Sequence, residues 1–414
     1  MSYTGALNIQ SYINSGETTW DNALTRALAA LPANGGAIYF PAGAYNPNTS
    51  SYLGAYKFAN ANSISGSVAL YGDGPESSVI MTTNLTADTF DITGGGVTVE
   101  ALSFQCSGTK SGGSYLNISG SNCTVSNIGM TGAYKGITIT GAAATVENCY
   151  MNQFVSGATG ITITQTTSAL GSPLRLRNVV MNGPGTSASY GIVVTNTTDL
   201  NITDCDIDNM NFGLALIPGT SQTAANVRAV NTYFDGGSSV GETAGILISP
   251  SYGQTAGTGT VYNCTFTGCW ASGAKSGVRV ETSSATSGAA VGQIEFIGLQ
   301  AIKNTSGSGI SLGPVATGTT VSGITISGGL FSNNAFGIYV NPGVTDFSIQ
   351  GVKAGAYPTA NSNYGIAVSS GSPAANRYLI TNNLVYGNTV GSVSDGGGPD
   401  KFVGSTTGAG ANLA

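Results

Sequence analysis

Three aspartates in two short segments have the types and spacing for acid–base chemistry. They are Asp206 and Asp208 in DCDID (204–208) and Asp235 in TYFDG (232–236). If DCDID is a strand, alternation turns Asp206 and Asp208 to one face and Cys205 and Ile207 to the other. Carboxyl groups held close together do not ionise independently. One is pushed up in pKa and becomes a proton donor near neutrality. A protonated carboxyl beside a carboxylate is the pair that cleaves glycosidic bonds, with ~5 Å between them for retention and ~6.5–9.5 Å for inversion. The same oxygens could instead bind Ca2+, hold a sugar without cleaving it, or form a solvated face. A second candidate is Arg279 with Glu281 in GVRVE (277–281), joined by Glu295 on the following strand. An arginine beside carboxylates could grip an acidic sugar or support β-elimination, although a surface ion pair is the plainer expectation. Arg177 and Glu147 are expected to form such a surface pair.

Composition removes other chemistries. The 414 residues include no His, which excludes a Ser-His-Asp triad, an imidazole base and a His-containing zinc site. With 13 basic against 19 acidic residues, net charge −6, nucleic acid is not an expected partner. Only 8% of residues are charged, but 41% are hydrophobic and regularly spaced, so a folded chain is expected. MSYTGALNIQ lacks the basic and apolar regions of a secretory leader, and no apolar run approaches the ~18 residues of a membrane helix. Synthesis and folding in a cytosol are therefore expected. The six cysteines form no CxxC pair and are expected as reduced core residues.

The elements that must position these groups are repeats. A Gly followed by an aliphatic residue opens a short alternating segment at Gly136, Gly160, Gly191, Gly213, Gly245, Gly277, Gly309, Gly337 and Gly365, at intervals of 22–32 residues. Between these lies a second segment, aliphatic-x-Asn-x-x-apolar, as in TVSNIGM (124–130), TVENCYM (145–151), RLRNVVM (175–181), AVNTYF (229–234) and VYNCTF (261–266). Apolar parity switches across the Asn, so Val125 and Ile128 both point inward, which requires a sharp bend there. Strand, bend, strand and variable loop, repeated, describe the coils of a parallel β-solenoid, each burying its apolar face only against its neighbours. Asn127, Asn148, Asn178, Asn231 and Asn263 are then expected to stack as one amide ladder. Asp204 occupies the same slot and is expected to replace an amide there.

Aligning on that slot predicts two outward columns. Four residues past it run Gln105, Thr131, Asn152, Asn182, Asp208, Asp235, Thr267 and Gln300. Two past it run Ser103, Gly129, Tyr150, Val180, Asp206, Tyr233, Thr265 and Gly298. Asp208 is thus expected above Asp235, with Tyr150, Tyr233, Asn152 and Asn182 as sugar-binding residues. Residues 19–31 carry Leu24, Ala27, Leu28 and Leu31 at helical spacing, stopped by Pro32 and Gly35-Gly36. The expected organisation is an N-terminal segment with a capping helix and first strand (1–46), a β-helix (47–395) and a flexible Gly/Ser/Thr-rich tail (396–414).

WDNALTRALAALPANGGAIYFPAGAYN (20–46) resembles the opening of pectate-lyase-like right-handed parallel β-helix proteins. YLITNNLVYGN (378–388) with VSDGGG (393–398) resembles the last coil of phage tailspikes and related polysaccharide-processing proteins. The resemblance implies an all-β, right-handed, single-stranded parallel β-helix with a short N-terminal capping α-helix. It implies a phage or prophage tailspike-like protein that binds and cleaves a bacterial surface polysaccharide (capsule, O-antigen or exopolysaccharide) by hydrolysis or elimination. Such proteins are parallel homotrimers of the virion tail or baseplate, so outward Leu247 and Tyr339 are expected at a subunit interface. No cofactor is implied, with Ca2+ as the alternative. The chain departs from the pattern in having no evident virion-anchoring segment before residue 17 and no trimerisation domain after 395. The His-Gly and RxK motifs of polygalacturonases are absent, as is an Arg partner of the pectate-lyase kind. A non-enzymatic adhesive or virion-decoration β-helix and a secreted pectate-lyase-like enzyme remain the alternatives.

Overall fold

A computed structural model describes residues 5–46, 51–52, 54–166, 171–185, 188–236, 243–250, 252–253, 257–283, 287–357, 359–404 and 412. Two compact units divide the chain, Met1–Pro184 and Gly185–Ala414. Each is a stack of parallel strands.

In the first unit the predicted helix is present as α1, Asp21–Ala30, with Leu24 and Ala27 fully buried. Trp20 precedes it, fully buried and edge-on to Tyr56 at 4.8 Å. The buried Asp21 carboxylate fixes the helix start. It accepts hydrogen bonds from the amides of Ala59 (3.1 Å) and Asn60 (2.9 Å) and from Asn62 Nδ2 (3.1 Å). Burial pushes this carboxyl up, but those donors outweigh it and hold it below its ordinary value. A depressed carboxyl contributes stability above its unfolded pKa and loses it as pH falls through the lower folded value. Asp21→Ala is expected to cost about 2 kcal/mol in urea unfolding at neutral pH, with the deficit shrinking in acid below about pH 3.8. The expected first strand, Gly36–Phe40, is preceded by a still earlier one, Leu7–Asn8, which pairs parallel to it.

Further along this unit, Val99, Val125, Val146 and Leu176 stack in register and are buried. Phe104, Met130, Met151 and Met181 do the same on the far side of the bend. The second unit continues the pattern on its own strands. Leu214, Ile246, Val278, Ile310, Ile338 and Ile366 form one inward column.

The Gly-aliphatic repeat has a steric cause. A Cβ built on Gly309 would lie 2.5 Å from the Gly337 carbonyl oxygen, and one on Gly337 would lie 2.4 Å from that of Gly365. Consecutive coils approach too closely at this column for any side chain.

The bend at the Asn slot is a left-handed backbone conformation. Asn127, Asn148 and Asn178 have φ of 52°, 54° and 49°, and Asp204 and Asn231 have 53° and 48°. Asn and Asp adopt this region more readily than other non-glycine residues. Asp204 thus takes the structural slot expected of it. The five-residue ladder, however, is corrected. Val230 pairs with Thr267, which sets Asn231 beside Gly268, also left-handed at φ 61°. Asn263 stacks instead on Asn226, donating to its side-chain oxygen, in a second column of bends. In the first unit Asn178 Nδ2 donates to Asn148 Oδ1 at 2.8 Å. A longer amide ladder, not foreseen, is mostly buried. Asn304 Nδ2 donates to Asn334 Oδ1 (3.0 Å), the Asn334 backbone N–H to Asn361 Oδ1 (3.0 Å) and Asn361 Nδ2 to Asn388 Oδ1 (2.8 Å).

Two further expectations change. Residues 396–404 are not a flexible tail. Lys401–Val403 is a strand paired with Asn376–Thr381, and buried Asn412 donates to the Ile380 and Gly404 carbonyls. The rest of the expected tail, 405–411 and 413–414, lies outside the described residues. Leu247 is covered by the chain itself, packed with Phe212, Ala215 and Ala244 under Tyr190 and Tyr252. All six cysteines are free, five buried and Cys106 half-buried.

Candidate active site

Strands Asp206–Met210 and Tyr233–Gly236 lie side by side in the second unit, with Cys205, Ile207 and Phe234 buried beneath. Asp206 faces Tyr233 and Ile207 faces Phe234, but Met210 faces Gly236. Asp208 and Asn209 therefore share the single opposite position of Asp235. This is a β-bulge, and Asn209 takes it up at φ 58°. Bulges re-aim side chains, and here one gathers three carboxyl groups. Asp206 and Asp208 hydrogen-bond to each other, and both feel the charge of Asp235.

The electrostatics separate the members of this cluster. Partial burial, then the charges of Asp206 and Asp235, push the Asp208 carboxyl up to about 6. Burial and the Asp235 charge also raise Asp206 above its ordinary value, an effect its bond with Asp208 only partly offsets. Below about pH 6 the proton therefore resides on Asp208, which donates to the Asp206 carboxylate. Asp235 is held independently. Its Oδ1 accepts from the Ser272 hydroxyl (2.7 Å) and amide (3.2 Å), and Trp270 Nε1 donates to the same hydroxyl (2.8 Å). The Trp270 and Tyr233 rings lie 5.9 Å apart at 34°, and Tyr233 is 51% exposed. A proton donor, an oriented carboxylate and two aromatic surfaces share one face.

Trp270 and Ser272 were not expected here. The slot alignment put Thr265 and Thr267 next to Tyr233 and Asp235, whereas the pairing sets Trp270 beside Tyr233 and Ser272 beside Asp235. Gln300 likewise pairs with Trp270, one column over from its expected place. The signal was Gly268. Reading glycine as the left-handed residue of that coil places Trp270 two and Ser272 four positions past the slot.

Tyr150, Asn152 and Asn182 belong to the first unit, at the outward positions expected. Tyr150 is exposed opposite Gly129 and Val180, and Asn152 Oδ1 accepts from the Thr131 hydroxyl at 3.0 Å. Arg177 pairs with Glu147 at 2.7 Å on the surface, also as expected.

Of the second candidate, Arg279 and Glu281 form an ion pair but Glu295 stands apart from them. Glu281 is buried rather than outward, and both its oxygens accept from Arg279 Nη2 at 2.9 Å. Glu295 stands exposed in the other sheet, between Thr265 and Thr325. Alternation predicted Glu281 one step beyond the end of its strand, where the chain turns inward. Among the described residues no three His, Cys, Asp or Glu side chains are arranged to hold a metal ion.

Residues 109–288 match the family described as right handed beta helix region. Among solved structures, the tailspike protein of E. coli bacteriophage HK620 in complex with pentasaccharide superposes with a TM-score of 0.62 at 14% identity, over 91% of this chain and 71% of that one. The A-module of mannuronan C-5 epimerase AlgE4 from Azotobacter vinelandii gives 0.59 at 14%, over 96% and 100%. The catalytic unit of the GH87 alpha-1,3-glucanase from Streptomyces thermodiastaticus gives 0.58 at 16%, over 100% and 71%. No curated protein matches the sequence. The fold is accordingly a right-handed parallel β-helix, all-β, with one short α-helix near the N-terminus among the described residues.

Proposed function

We propose that this protein binds a bacterial surface polysaccharide and hydrolyses it at the Asp206–Asp208–Asp235 cluster. The observation that carries the reading is Asp208, raised to about 6 and hydrogen-bonded to Asp206, beside an Asp235 held by Ser272. Asp208 donates its proton to the glycosidic oxygen as the C–O bond breaks. The Asp235 carboxylate oxygen not bonded to Ser272 either attacks the anomeric carbon or takes a proton from the attacking water. Asp206 holds the Asp208 proton in place until transfer. Tyr233 and Trp270 offer faces on which sugar rings stack. Three similar folds whose names include a saccharide ligand or a polysaccharide-directed activity support this choice of substrate.

The test is incubation with purified capsule, O-antigen and exopolysaccharide, scored for reducing ends. Ultraviolet-absorbing unsaturated ends would mark elimination instead. Binding without release of either would leave the adhesive alternative. Trp270→Ala is expected to raise KM roughly tenfold with a smaller change in kcat, because stacking acts on bound substrate before the reaction. Added Ca2+ or a chelator is expected to change neither parameter. The same proposal places the protein in a phage tail or baseplate as a homotrimer, which sedimentation equilibrium checks directly.

A further inference from the structure

The face that carries the aspartates runs on along the second unit as an unbroken column. Asp206 faces Tyr233, Tyr233 faces Trp270, Trp270 faces Gln300, Gln300 faces Leu330 and Leu330 faces Lys353. Five coil steps of ~4.8 Å put Lys353 roughly 24 Å from Asp206. At that end lies a hollow of about 390 Å³ lined by Gly298, Gln300, Gly329, Leu330, Lys353 and Tyr357. Glycine lines it on two adjacent coils, and a side chain on Gly298 would meet nothing within 4 Å. Gly329, at φ 104°, has no room for one, since a Cβ would sit 2.3 Å from the Leu299 carbonyl oxygen. Tyr357 is 66% exposed at the rim. Lys353 is the only charged residue of the hollow and has no ion-pair partner among the described residues.

We infer that this hollow is a remote subsite for an anionic substituent of the polysaccharide, a carboxylate or a phosphate, gripped by Lys353 while its sugar rests on Tyr357. The inference rests on the polysaccharide reading above and adds the charge of the substrate. The carboxyl cluster repels anions, so the polymer must present an uncharged stretch there. Lys353 attracts them five coils away. The two ends together admit a polymer in which charge recurs at that interval, and they set which bond meets Asp208.

The full chain carrying Asp208→Asn, which stops turnover, would be titrated calorimetrically with three groups of purified bacterial polysaccharides: uronate-bearing, phosphodiester-bearing and neutral. The anionic polymers are expected to bind most tightly, and whichever group binds identifies carboxylate or phosphate as the anion. Lys353→Gln is expected to weaken that binding roughly tenfold, the scale of one charge-assisted hydrogen bond. It is also expected to flatten the salt dependence. Carboxyl reduction of a bound uronate polymer should weaken it equally, with no further loss in Lys353→Gln. A neutral polymer binding tightest, or unchanged affinity in Lys353→Gln, overturns the subsite while leaving the polysaccharide reading intact. No binding to any polymer overturns both.

Discussion

Asp208→Asn is expected to lower polysaccharide hydrolysis by roughly a thousandfold while leaving binding nearly intact. The amide keeps the shape of the protonated carboxyl and its bond to Asp206, but it has no acidic proton to give the leaving oxygen. Asp235→Asn should be comparably inactive, for the separate reason that an amide neither attacks carbon nor takes a proton from water. Unchanged activity in both would remove the site assignment and leave the fold untouched. The wild-type rate should fall as pH rises through about 6, where Asp208 loses its proton. Stability follows the same group. A carboxyl raised from 3.8 to about 6 on folding contributes stability below the lower value and loses it as pH rises through the upper one. The wild-type Tm should therefore decline between about pH 4 and 6 through this cluster. Asp208→Asn, permanently neutral, should flatten that decline and be the more stable form at pH 7.5. Gaining stability while losing activity is the behaviour of a site held under electrostatic strain.

The largest loss of stability is expected at Gly309→Ala. Its Cβ would lie 2.5 Å from the Gly337 carbonyl oxygen, 3.0 Å from Phe331 Cδ1 and 3.1 Å from Asn334 Nδ2. The first contact is backbone in the next coil, so no rotamer change relieves it. The last is a member of the buried amide ladder. Overpacking of this kind costs about 3 kcal/mol or more, since the coils themselves must part. Gly95→Ala is the control. Its new Cβ would meet only the Ser121 oxygen, at 3.4 Å, and a change within about 0.5 kcal/mol is expected. Because each coil touches only its neighbours, the damage should be local. Hydrogen exchange in Gly309→Ala should accelerate first in strands Ser308–Leu312 and Phe336–Val340. Equal effects at the two glycines would mean that the column is not closely packed.

What the sequence by itself determined is what each coil decides locally. Leu24 and Ala27 at helical spacing mark the helix because its buried stripe is made within ten residues. Asn127, Asn148 and Asn178 mark bends because that side chain accepts a left-handed backbone. Asp206 and Asp208 alternate with Cys205 and Ile207, so their exposure follows from the strand alone.

Relations between coils were decided only in the tertiary structure. Around Asn263, the buried Cys264 and Phe266 follow the slot by one and three residues. Around Gly268, the buried Cys269 and Ala271 follow in the same way. Both frames bury apolar residues equally well, so patterning could not tell which bend stacks on Asn231. A five-residue slip hid Trp270 and Ser272 from the site. The bulge at Asp208–Asn209, the inward turn at Glu281 and the ladder from Asn304 to Asn388 are decided in the same way. Each depends on what the adjacent coil presents at one height, and loops of varying length keep that height from being counted along the chain.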